Sequence, residues 1–208
     1  MIKNIVFDMG NVLVMYYPEK VLRKYLDDES DIRLLMEKFY DCGAVRDTDR
    51  GVKTYEEIIN ERVGILPERL INLLKKLYLE QCYGKEEMPV FPEMYDLVAK
   101  LRENGYHTYL LSNAGVDFYD YSRYIPAISL MDGKIVSSDY KLLKPEREIY
   151  ETLFDKYSLK PEECVFIDDV EENIIGSENA GMAGIQFSPS FESVDVLKEK
   201  LREKGVKI

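Results

Sequence analysis

A short apolar run ends in an acid in the segment Ile5-Val6-Phe7-Asp8-Met9-Gly10-Asn11, and a second run, Val165-Phe166-Ile167-Asp168-Asp169, ends in two acids. An apolar run of this kind predicts a buried strand of a parallel sheet. The residue after such a strand lies at the sheet edge where α/β proteins bind ligands. The two strand ends can therefore bring three carboxylates together, and carboxylate oxygens are ligands that Mg²⁺ prefers.

Asp8 is the candidate nucleophile, because a carboxylate can attack phosphorus and form an aspartyl-phosphate that splits one difficult hydrolysis into two steps. Gly10 is interpreted as the residue that turns the chain after the strand, with its carbonyl facing a metal. Asp168 and Asp169 would repel each other unless a cation or a donor lies close. The sequence favours Asp169 as the metal ligand and Asp168 behind it, and one of the two acids could instead cap the helix that carries Asn173.

Two further polar segments lie between these strand ends. Ser112 and Asn113 follow the apolar pair Leu110-Leu111, and a hydroxyl with neighbouring backbone N–H groups at a strand end can hold phosphate oxygens. Lys144 precedes Pro145, which begins a predicted helix. Because a helix N-terminus disfavours a cation, this lysine indicates an anion nearby. The four segments together indicate phosphoryl chemistry.

The charge and hydropathy of the chain exclude several classes of partner. The net charge of −11 over 208 residues argues against a nucleic-acid backbone or an anionic membrane, since both require a cationic surface. No apolar stretch approaches the roughly 18 residues of a membrane span, and we expect a cytoplasmic protein. The composition leaves the oligomeric state open, and a monomer is compatible with it.

The histidine and cysteine content narrows the chemistry further. His107 is the single histidine, which excludes a site with several histidine ligands. If His107 and Ser112 flank the same strand, they lie about 16 Å apart, so a serine–histidine hydrolase is excluded as well. Cys42, Cys82 and Cys164 show no CxxC spacing, and we expect free, buried thiols in a reducing compartment.

After residue 83 the chain alternates between strands and helices. The predicted strands are 108–111, 164–167 and 183–187, and the predicted helices are 93–104, 116–123, 146–157, 171–180 and 193–204. This alternation is typical of an α/β fold with a doubly wound parallel sheet. Within the stretch 128–137, Asp132-Gly133 favours a turn, and we expect a hairpin between two short strands there.

Between residues 17 and 83 the pattern changes to helical spacing. Thr54 and Glu57 form a capping-box pattern, and Pro67 lies at a predicted helix start. We predict an all-helical cap formed by residues 17–83, inserted into an α/β core formed by residues 1–16 and 84–208.

The order of these motifs resembles that of the haloacid dehalogenase superfamily, and the segment Phe7 to Leu13 is similar to the FDxGNV branch that includes bacterial sugar-phosphate phosphatases. The match spans essentially the whole chain, including the helical cap. The resemblance implies a Mg²⁺-dependent hydrolysis of a small phosphorylated metabolite. The implied roles are Asp8 as nucleophile, Asp8, the Gly10 carbonyl and Asp169 as metal ligands, Ser112, Asn113 and Lys144 as phosphate contacts, Lys144 also as a catalytic residue, and Asp168 with Asn173 behind the metal ligands.

One position departs from the superfamily pattern. Its phosphatases usually carry a second aspartate, a general acid and base, where this chain has Gly10. A positioned acid or base contributes about 10²–10⁴-fold in rate. Either the substrate has a better leaving group, as a sugar 1-phosphate does, or another group or a water supplies the proton, with Tyr16 and Tyr17 as candidates.

Two alternative functions remain compatible with Gly10. One is a metal-independent 2-haloacid dehalogenase, in which the halide leaves without a proton, although the pair Asp168-Asp169 would repel a carboxylate substrate. The other is a catalytically silent binding protein. Arg46 and Arg50 in the cap are candidates for contacting an anionic or hydroxylated ligand.

Overall fold

One parallel sheet forms the centre of the computed structural model, which describes residues 1–80 and 88–208. Its strands are β1 (Asn4–Phe7), β2 (His107–Ser112), β3 (Gly133–Val136), β4 (Cys164–Asp168) and β5 (Ala183–Gln186), in the order β3-β2-β1-β4-β5. The helices are α1 (Pro18–Leu22), α2 (Glu29–Leu35), α3 (Ala44–Asp49), α4 (Tyr55–Asn60), α5 (Glu68–Lys75), α6 (Pro92–Glu103), α7 (Phe118–Tyr121), α8 (Ser137–Tyr140), α9 (Arg147–Tyr157), α10 (Glu171–Asn179) and α11 (Val194–Glu203). The predicted α/β fold is confirmed.

The central strand β1 is buried on both faces, which explains its uninterrupted apolar sequence. Ile5 and Phe7 belong to a core layer that also holds residues of α6, α11 and the helical segment. Val6 belongs to a second layer, which contains residues of α9 and α10. Helices therefore cover the sheet on both sides, as a doubly wound architecture requires.

The register brings the carboxyl ends of three strands to one edge of the sheet. Phe7 is paired with Leu110 of β2 and with Ile167 of β4. The backbone N–H of Asp8 donates to the carbonyl of Ile167 over 2.9 Å. The side chains that follow β1, β2 and β4 therefore converge where the sequence predicts a site.

The described residues of the predicted cap form α1 to α5 and contain no strand. The capping box at the start of α4 is confirmed. The hydroxyl of Thr54 accepts from the Glu57 N–H over 3.2 Å, and the Glu57 carboxylate accepts from the Thr54 N–H over 2.8 Å. The helical segment is inserted after β1, so the all-helical cap of the predicted fold is present.

The chain enters and leaves the helical segment through two neighbouring stretches of backbone. The N–H of Met15 donates to the carbonyl of Pro89 over 2.8 Å, and the N–H of Phe91 donates to the carbonyl of Leu13 over 3.1 Å. These antiparallel connections join the segment to the core at its base. The predicted boundary between residues 83 and 84 lies outside the described residues.

The predicted hairpin over 128–137 is wrong. Residues 126–130 form a 3₁₀ turn, and β3 pairs with β2 in parallel, with Gly133 beside Tyr109. Gly133 is required by packing rather than by a turn, since a Cβ there would lie 2.2 Å from the ring of Tyr157. The Asp132 carboxylate accepts from the Thr108 N–H over 3.0 Å and thus holds the start of β3 against β2.

Two thiols are described, and both are free. Cys164 is buried, as predicted, whereas Cys42 is exposed, so the expectation of burial is wrong at that position. Cys82 lies outside the described residues. Within the part of the chain that the structure describes, no helix has the length and apolar character needed to cross a membrane.

Candidate functional site

A cavity of about 250 Å³ lies at the carboxyl edge of the sheet, where the core faces the helical segment. The loops after β1, β2 and β4 line it from the core, and α3 and α4 contribute residues from the helical segment. The residues that line it include Asp8, Gly10, Asn11, Tyr16, Val45, Asp49, Tyr55, Tyr78, Asn113, Asp117, Tyr121, Lys144, Asp169 and Asn173.

Lys144 joins two of the predicted site carboxylates. Its Nζ lies 2.7 Å from Oδ1 of Asp8 and 2.7 Å from Oδ2 of Asp168, and its side chain is buried. Burial alone would lower the pKa of Lys144, but the negative charges of Asp168 and Asp8 outweigh burial and raise the pKa above its usual range. The anion that the sequence indicated beside this lysine is therefore a pair of carboxylates.

Asp8 is a buried acid with an unusual proton affinity. Its pKa is raised to about 7, mainly by burial and also by the charges of Asp168 and Asp169, while Lys144 acts in the opposite direction. A carboxylate attacks only in its ionised form. An additional positive charge beside Asp8 would therefore favour the state in which it can act as a nucleophile.

Asp168 is fully buried, and protein donors surround it. Oδ1 accepts from the Val170 N–H over 2.8 Å and from Nδ2 of Asn173 over 3.1 Å. Oδ2 accepts from Lys144 over 2.7 Å and from the same Asn173 amide over 3.1 Å. Asp168 and Asn173 thus form a hydrogen-bonded support for Lys144, while Asn173 also reaches the cavity wall.

Asp169 contacts the loop after β1 through Asn11. Nδ2 of Asn11 donates to Oδ2 of Asp169 over 3.1 Å, and Oδ1 of Asn11 accepts from the Tyr16 N–H over 2.9 Å. Asn11 has φ 55°, so it makes the left-handed turn that the sequence interpretation gave to Gly10, which lies outside that region. The sequence analysis did not single out Asn11, although asparagine is one of the few residues other than glycine that often adopt this backbone conformation.

Asn113 connects the end of β2 to the Lys144 backbone. Its Oδ1 accepts from the Lys144 N–H over 2.9 Å, and its Nδ2 donates to the Lys144 carbonyl over 3.1 Å. Ser112 is the last residue of β2 and is buried, and Asn113 lines the cavity directly after it. The structure therefore brings the serine and lysine motifs of the sequence together.

Oxygens of Asp8, Asp168 and Asp169 lie within 4.8 Å of one another. Lys144 is the single cation among the described residues that line the cavity. Three carboxylates and one ammonium leave an excess of two negative charges, which matches a divalent cation, and oxygen ligands suit Mg²⁺. Because donors from the protein already occupy both oxygens of Asp168, Asp8 and Asp169 are the acids best placed to be ligands.

Asp49 and Asp117 are two further acids of the cavity that the sequence analysis did not single out. The pKa of Asp49 is raised to about 7. Burial is the main cause, the charge of Asp117 adds to it, and Lys144 acts in the opposite direction. Burial also raises the pKa of Asp117 to about 6. In the sequence, Asp49 stands in a charged helix, where an acid is indistinguishable from one on a solvated face.

The raised pKa of Asp49 predicts a pH-dependent stability. Between about pH 4 and pH 7 the folded chain keeps a proton on Asp49 that the unfolded chain has released, so stability falls as the pH rises through this window. Asp49→Asn removes this loss. The measurement is denaturant unfolding in the presence of chelator. Between pH 5 and pH 8, we expect the free energy of unfolding of the variant to rise by about 2–4 kcal/mol relative to that of the wild type. Asp47→Asn on the same helix is the control, and identical pH slopes for the wild type and Asp49→Asn would contradict the prediction.

The tyrosine and arginine candidates from the sequence differ in their surroundings. Tyr16 lines the cavity, whereas the hydroxyl of Tyr17 is buried and has no hydrogen-bond partner among the described residues. Arg50 pairs with the carboxylate of Glu146, and its Nη1 donates to the carbonyl of Lys141 over 3.1 Å. Arg50 therefore joins the helical segment to the core, and neither Arg50 nor Arg46 is among the residues that line the cavity.

Comparison with known proteins gives a family match that covers most of the chain. The family model described as haloacid dehalogenase-like hydrolase matches residues 2–181. The chain is 25% identical to the enolase-phosphatase E1 of Aquifex aeolicus, over 96% of this chain and 99% of that protein. It is 28% identical to the D-ribitol-5-phosphate phosphatase of Bacteroides thetaiotaomicron, over 86% of this chain and 88% of that protein.

A similar fold is found among solved structures. A haloacid dehalogenase family enzyme of Bacteroides thetaiotaomicron, crystallised with magnesium and inorganic phosphate, superimposes with a TM-score of 0.72 at 22% identity. The match covers 94% of this chain and 99% of that one. At this level of identity the likeness supports the fold alone.

Proposed function

Because the chain belongs to the haloacid dehalogenase-like hydrolases, with relatives that are phosphatases, we propose that it hydrolyses a small phosphorylated metabolite in a Mg²⁺-dependent reaction through an aspartyl-phosphate on Asp8. The observation that carries the proposal is the excess of negative charge around Lys144. Three carboxylates have oxygens within 4.8 Å of one another, and Lys144 is the single ammonium among the described residues lining the cavity. A divalent cation with a phosphate beside it would balance the excess.

The proposed ligands are the carboxylates of Asp8 and Asp169 and the carbonyl of Gly10, with Asp168 and Asn173 behind them. A bound Mg²⁺ would neutralise phosphate oxygens and keep Asp8 ionised. The residues of the chain then have separate tasks. Asp8 attacks phosphorus, Lys144 offsets negative charge, and Ser112 and Asn113 position phosphate oxygens at the end of β2.

Two transfers complete the reaction. In the first, a carboxylate oxygen of Asp8 bonds to phosphorus, the bond to the ester oxygen breaks, and the alcohol leaves with a proton. In the second, the oxygen of a water bonds to phosphorus and loses a proton. The bond to Asp8 then breaks, which releases inorganic phosphate and restores the carboxylate.

The cavity wall favours an alcohol without a negative charge of its own. Val45, Tyr55, Tyr78 and Tyr121 give it apolar and aromatic surface, and Asp49 and Asp117 add acceptors for hydroxyl groups. Lys144, the single lining cation among the described residues, is already bound by two acids. We therefore propose a sugar phosphate as the substrate class, with sugar 1-phosphates as the first group to test.

We also propose that residues 17–83 act as a cap domain over a core of residues 1–16 and 84–208. The paired connections at Met15 and Pro89 and at Leu13 and Phe91 support this division, because they bring the entry and the exit of the helical segment side by side. A cap of this kind excludes water and contacts the substrate. The aromatic residues Tyr55 and Tyr78 are the cap's proposed contribution to specificity.

The proposal is tested by phosphate release from a panel of sugar 1-phosphates, sugar 6-phosphates and an aryl phosphate. We expect release with Mg²⁺, its loss in excess chelator, and its recovery when Mg²⁺ is added back. Release that is unaffected by chelator would contradict the role of the metal. Phosphate release from none of the esters would contradict the phosphatase itself.

The dehalogenase alternative is measured in the same samples as halide release from 2-haloacids in chelator. We expect none. A 2-haloacid carries a carboxylate into a cavity lined by Asp8, Asp49, Asp117 and Asp169, where the one lining cation among the described residues is already engaged. Halide release without metal would replace the phosphatase proposal.

A further inference from the structure

The proposed phosphatase needs a proton donor for the departing alcohol, and Gly10 supplies no side chain for this task. A Cβ at Gly10 would meet only Cβ of Tyr16, at 3.7 Å, so lack of space is not the reason that a carboxylate is missing there. We propose that Asp49, at the end of α3, is the general acid and base of this reaction. The inference rests on the proposed function and adds a catalytic residue from the helical segment.

Several other titratable groups of the cavity are poorly suited to the role. Lys144 is held as a cation between Asp8 and Asp168. Burial raises the pKa of Tyr55 and of Tyr121 well above the usual value for tyrosine, so neither would release a proton readily near neutral pH. Asp8 and Asp169 serve as nucleophile and proposed metal ligand. Of the acids among the described lining residues, Asp49 and Asp117 are the two without one of these roles.

The backbone of Asp49 is fixed to the core beside the loop that follows β2. The buried hydroxyl of Ser137 donates to the Asp49 carbonyl over 2.5 Å, and the same oxygen accepts from the Ala114 N–H over 2.9 Å. Ala114 follows the pair Ser112-Asn113. Ser137 therefore links the proposed acid to the proposed phosphate-binding loop through one side chain.

The next two residues strengthen this attachment. Arg50 pairs with Glu146, which itself accepts from the Leu143 N–H over 3.1 Å and so stands next to Lys144. Gly51, with φ 70°, packs so closely that a Cβ would lie 2.5 Å from the carbonyl oxygen of Ser138. Asp49 is consequently positioned by the core, as a group that must meet the leaving oxygen should be.

Asp49 fits the role better than Asp117. The carboxylate of Asp117 is folded back over its own loop, with Oδ1 2.7 Å from the position of a Cβ on Gly115. The charged groups that act on Asp49 are Asp117 from the loop after β2 and Lys144 from the loop before α9. With a pKa of about 7, Asp49 can hold a proton before the first transfer and accept one in the second.

Asp49 gives up one proton in the first transfer and takes one back in the second. When the bond between phosphorus and the ester oxygen breaks, the proton of the Asp49 carboxyl passes to that oxygen, and Asp49 becomes a carboxylate. A water oxygen then bonds to phosphorus while Asp49 takes one proton of that water, and the bond between phosphorus and the Asp8 oxygen breaks. The cycle ends with Asp8 ionised, Asp49 protonated and inorganic phosphate released.

The test compares Asp49→Asn with the wild type in pre-steady-state assays on the best sugar phosphate and on 4-nitrophenyl phosphate, both with Mg²⁺. With the sugar phosphate, whose leaving alkoxide needs a proton, we expect phosphoryl transfer to slow by about 10²–10⁴-fold. With the aryl phosphate, we expect the burst of nitrophenolate to keep its rate within a few-fold, followed by slow turnover because the second step lacks its base.

Asp47→Asn, on the same helix and outside the cavity lining, is the matched control and should keep both rates. Equal losses with the two esters, a change in KM alone, or no change would each overturn the role of Asp49. The same holds if Asp117→Asn, and not Asp49→Asn, shows the loss specific to the sugar phosphate. All of these comparisons require a wild-type enzyme that releases phosphate. If the wild type itself releases none, the phosphatase proposal fails, which is a different result from failure of the Asp49 assignment.

Discussion

Asp8→Asn is expected to lower kcat for every phosphate ester by about 10⁴-fold or more, because it removes the proposed nucleophile and a metal ligand together. The amide keeps the shape of the side chain, and its oxygen can still accept from Lys144, which lies 2.7 Å from Oδ1 in the wild type. The loss should therefore be chemical. Phosphate release is the assay, and the wild type quenched with acid during turnover should carry a phosphoryl group on the peptide that contains Asp8.

Stability separates this result from misfolding. Burial and the charges of Asp168 and Asp169 oppose ionisation of Asp8, so an uncharged amide should not lower the midpoint of unfolding at pH 8 in chelator. Asp155→Asn, an exposed acid on α9, is the control and should keep full activity. A variant with Asp8→Asn that retains more than about a hundredth of wild-type kcat would contradict the nucleophile assignment.

The frame of the fold was predictable because its strands are continuous apolar runs. The strands β1 and β4 are buried on both faces, so their residues 5–7 and 164–167 are all apolar up to the acid that follows. A short apolar run that ends in a polar residue is easily distinguished from a surface helix, in which apolar and polar residues alternate with helical spacing. The helical insertion was predictable for the opposite reason. Its apolar residues recur at helical spacing, and the capping box at Thr54 marks the start of α4.

The region before β3 was predicted incorrectly because the dipeptide Asp132-Gly133 is compatible both with a hairpin turn and with the start of a parallel strand. Asp132-Gly133 is a favoured hairpin turn in isolation. Here glycine leaves room for the ring of Tyr157, and the aspartate holds the Thr108 N–H, so the strand continues in parallel. Both partners are distant in sequence, and local pattern contains no information about them.

The candidate site was predictable where its residues end strands, and not where another part of the chain supplies them. Asp8 and Asp169 follow apolar runs, so their convergence follows from parallel register. Asp49 lines the cavity, and contacts with Ser137, Glu146 and Ser138 hold the end of α3 that carries it against the core. The turn at Asn11 was assigned to its neighbour because glycine is the usual residue at such a conformation.

Lys144→Met is expected to reduce both stability and activity, since it leaves Asp8 and Asp168 buried without their shared cation. Removing one partner of a buried ion pair typically costs about 3–5 kcal/mol, and loss of one group that stabilises the charge of a transition state costs about 10²–10³-fold in kcat. Denaturant unfolding in chelator and phosphate release with Mg²⁺ are the two measurements. Lys160→Met, an exposed lysine, is the control for both.

The pH dependence and a double variant identify the cause of the loss. Without Lys144, protonation of Asp8 is the remaining way to relieve the repulsion between the buried acids, so the destabilisation should be larger at pH 8 than at pH 5. Adding Asp168→Asn removes one of the two carboxylate charges that lost their cation, and the amide oxygen can still accept from Asn173 or Val170. The double variant should therefore regain part of the lost stability at pH 8 and none of the activity. If Lys144→Met unfolds within about 1 kcal/mol of the wild type at both pH values, the ammonium is not what holds the two carboxylates together.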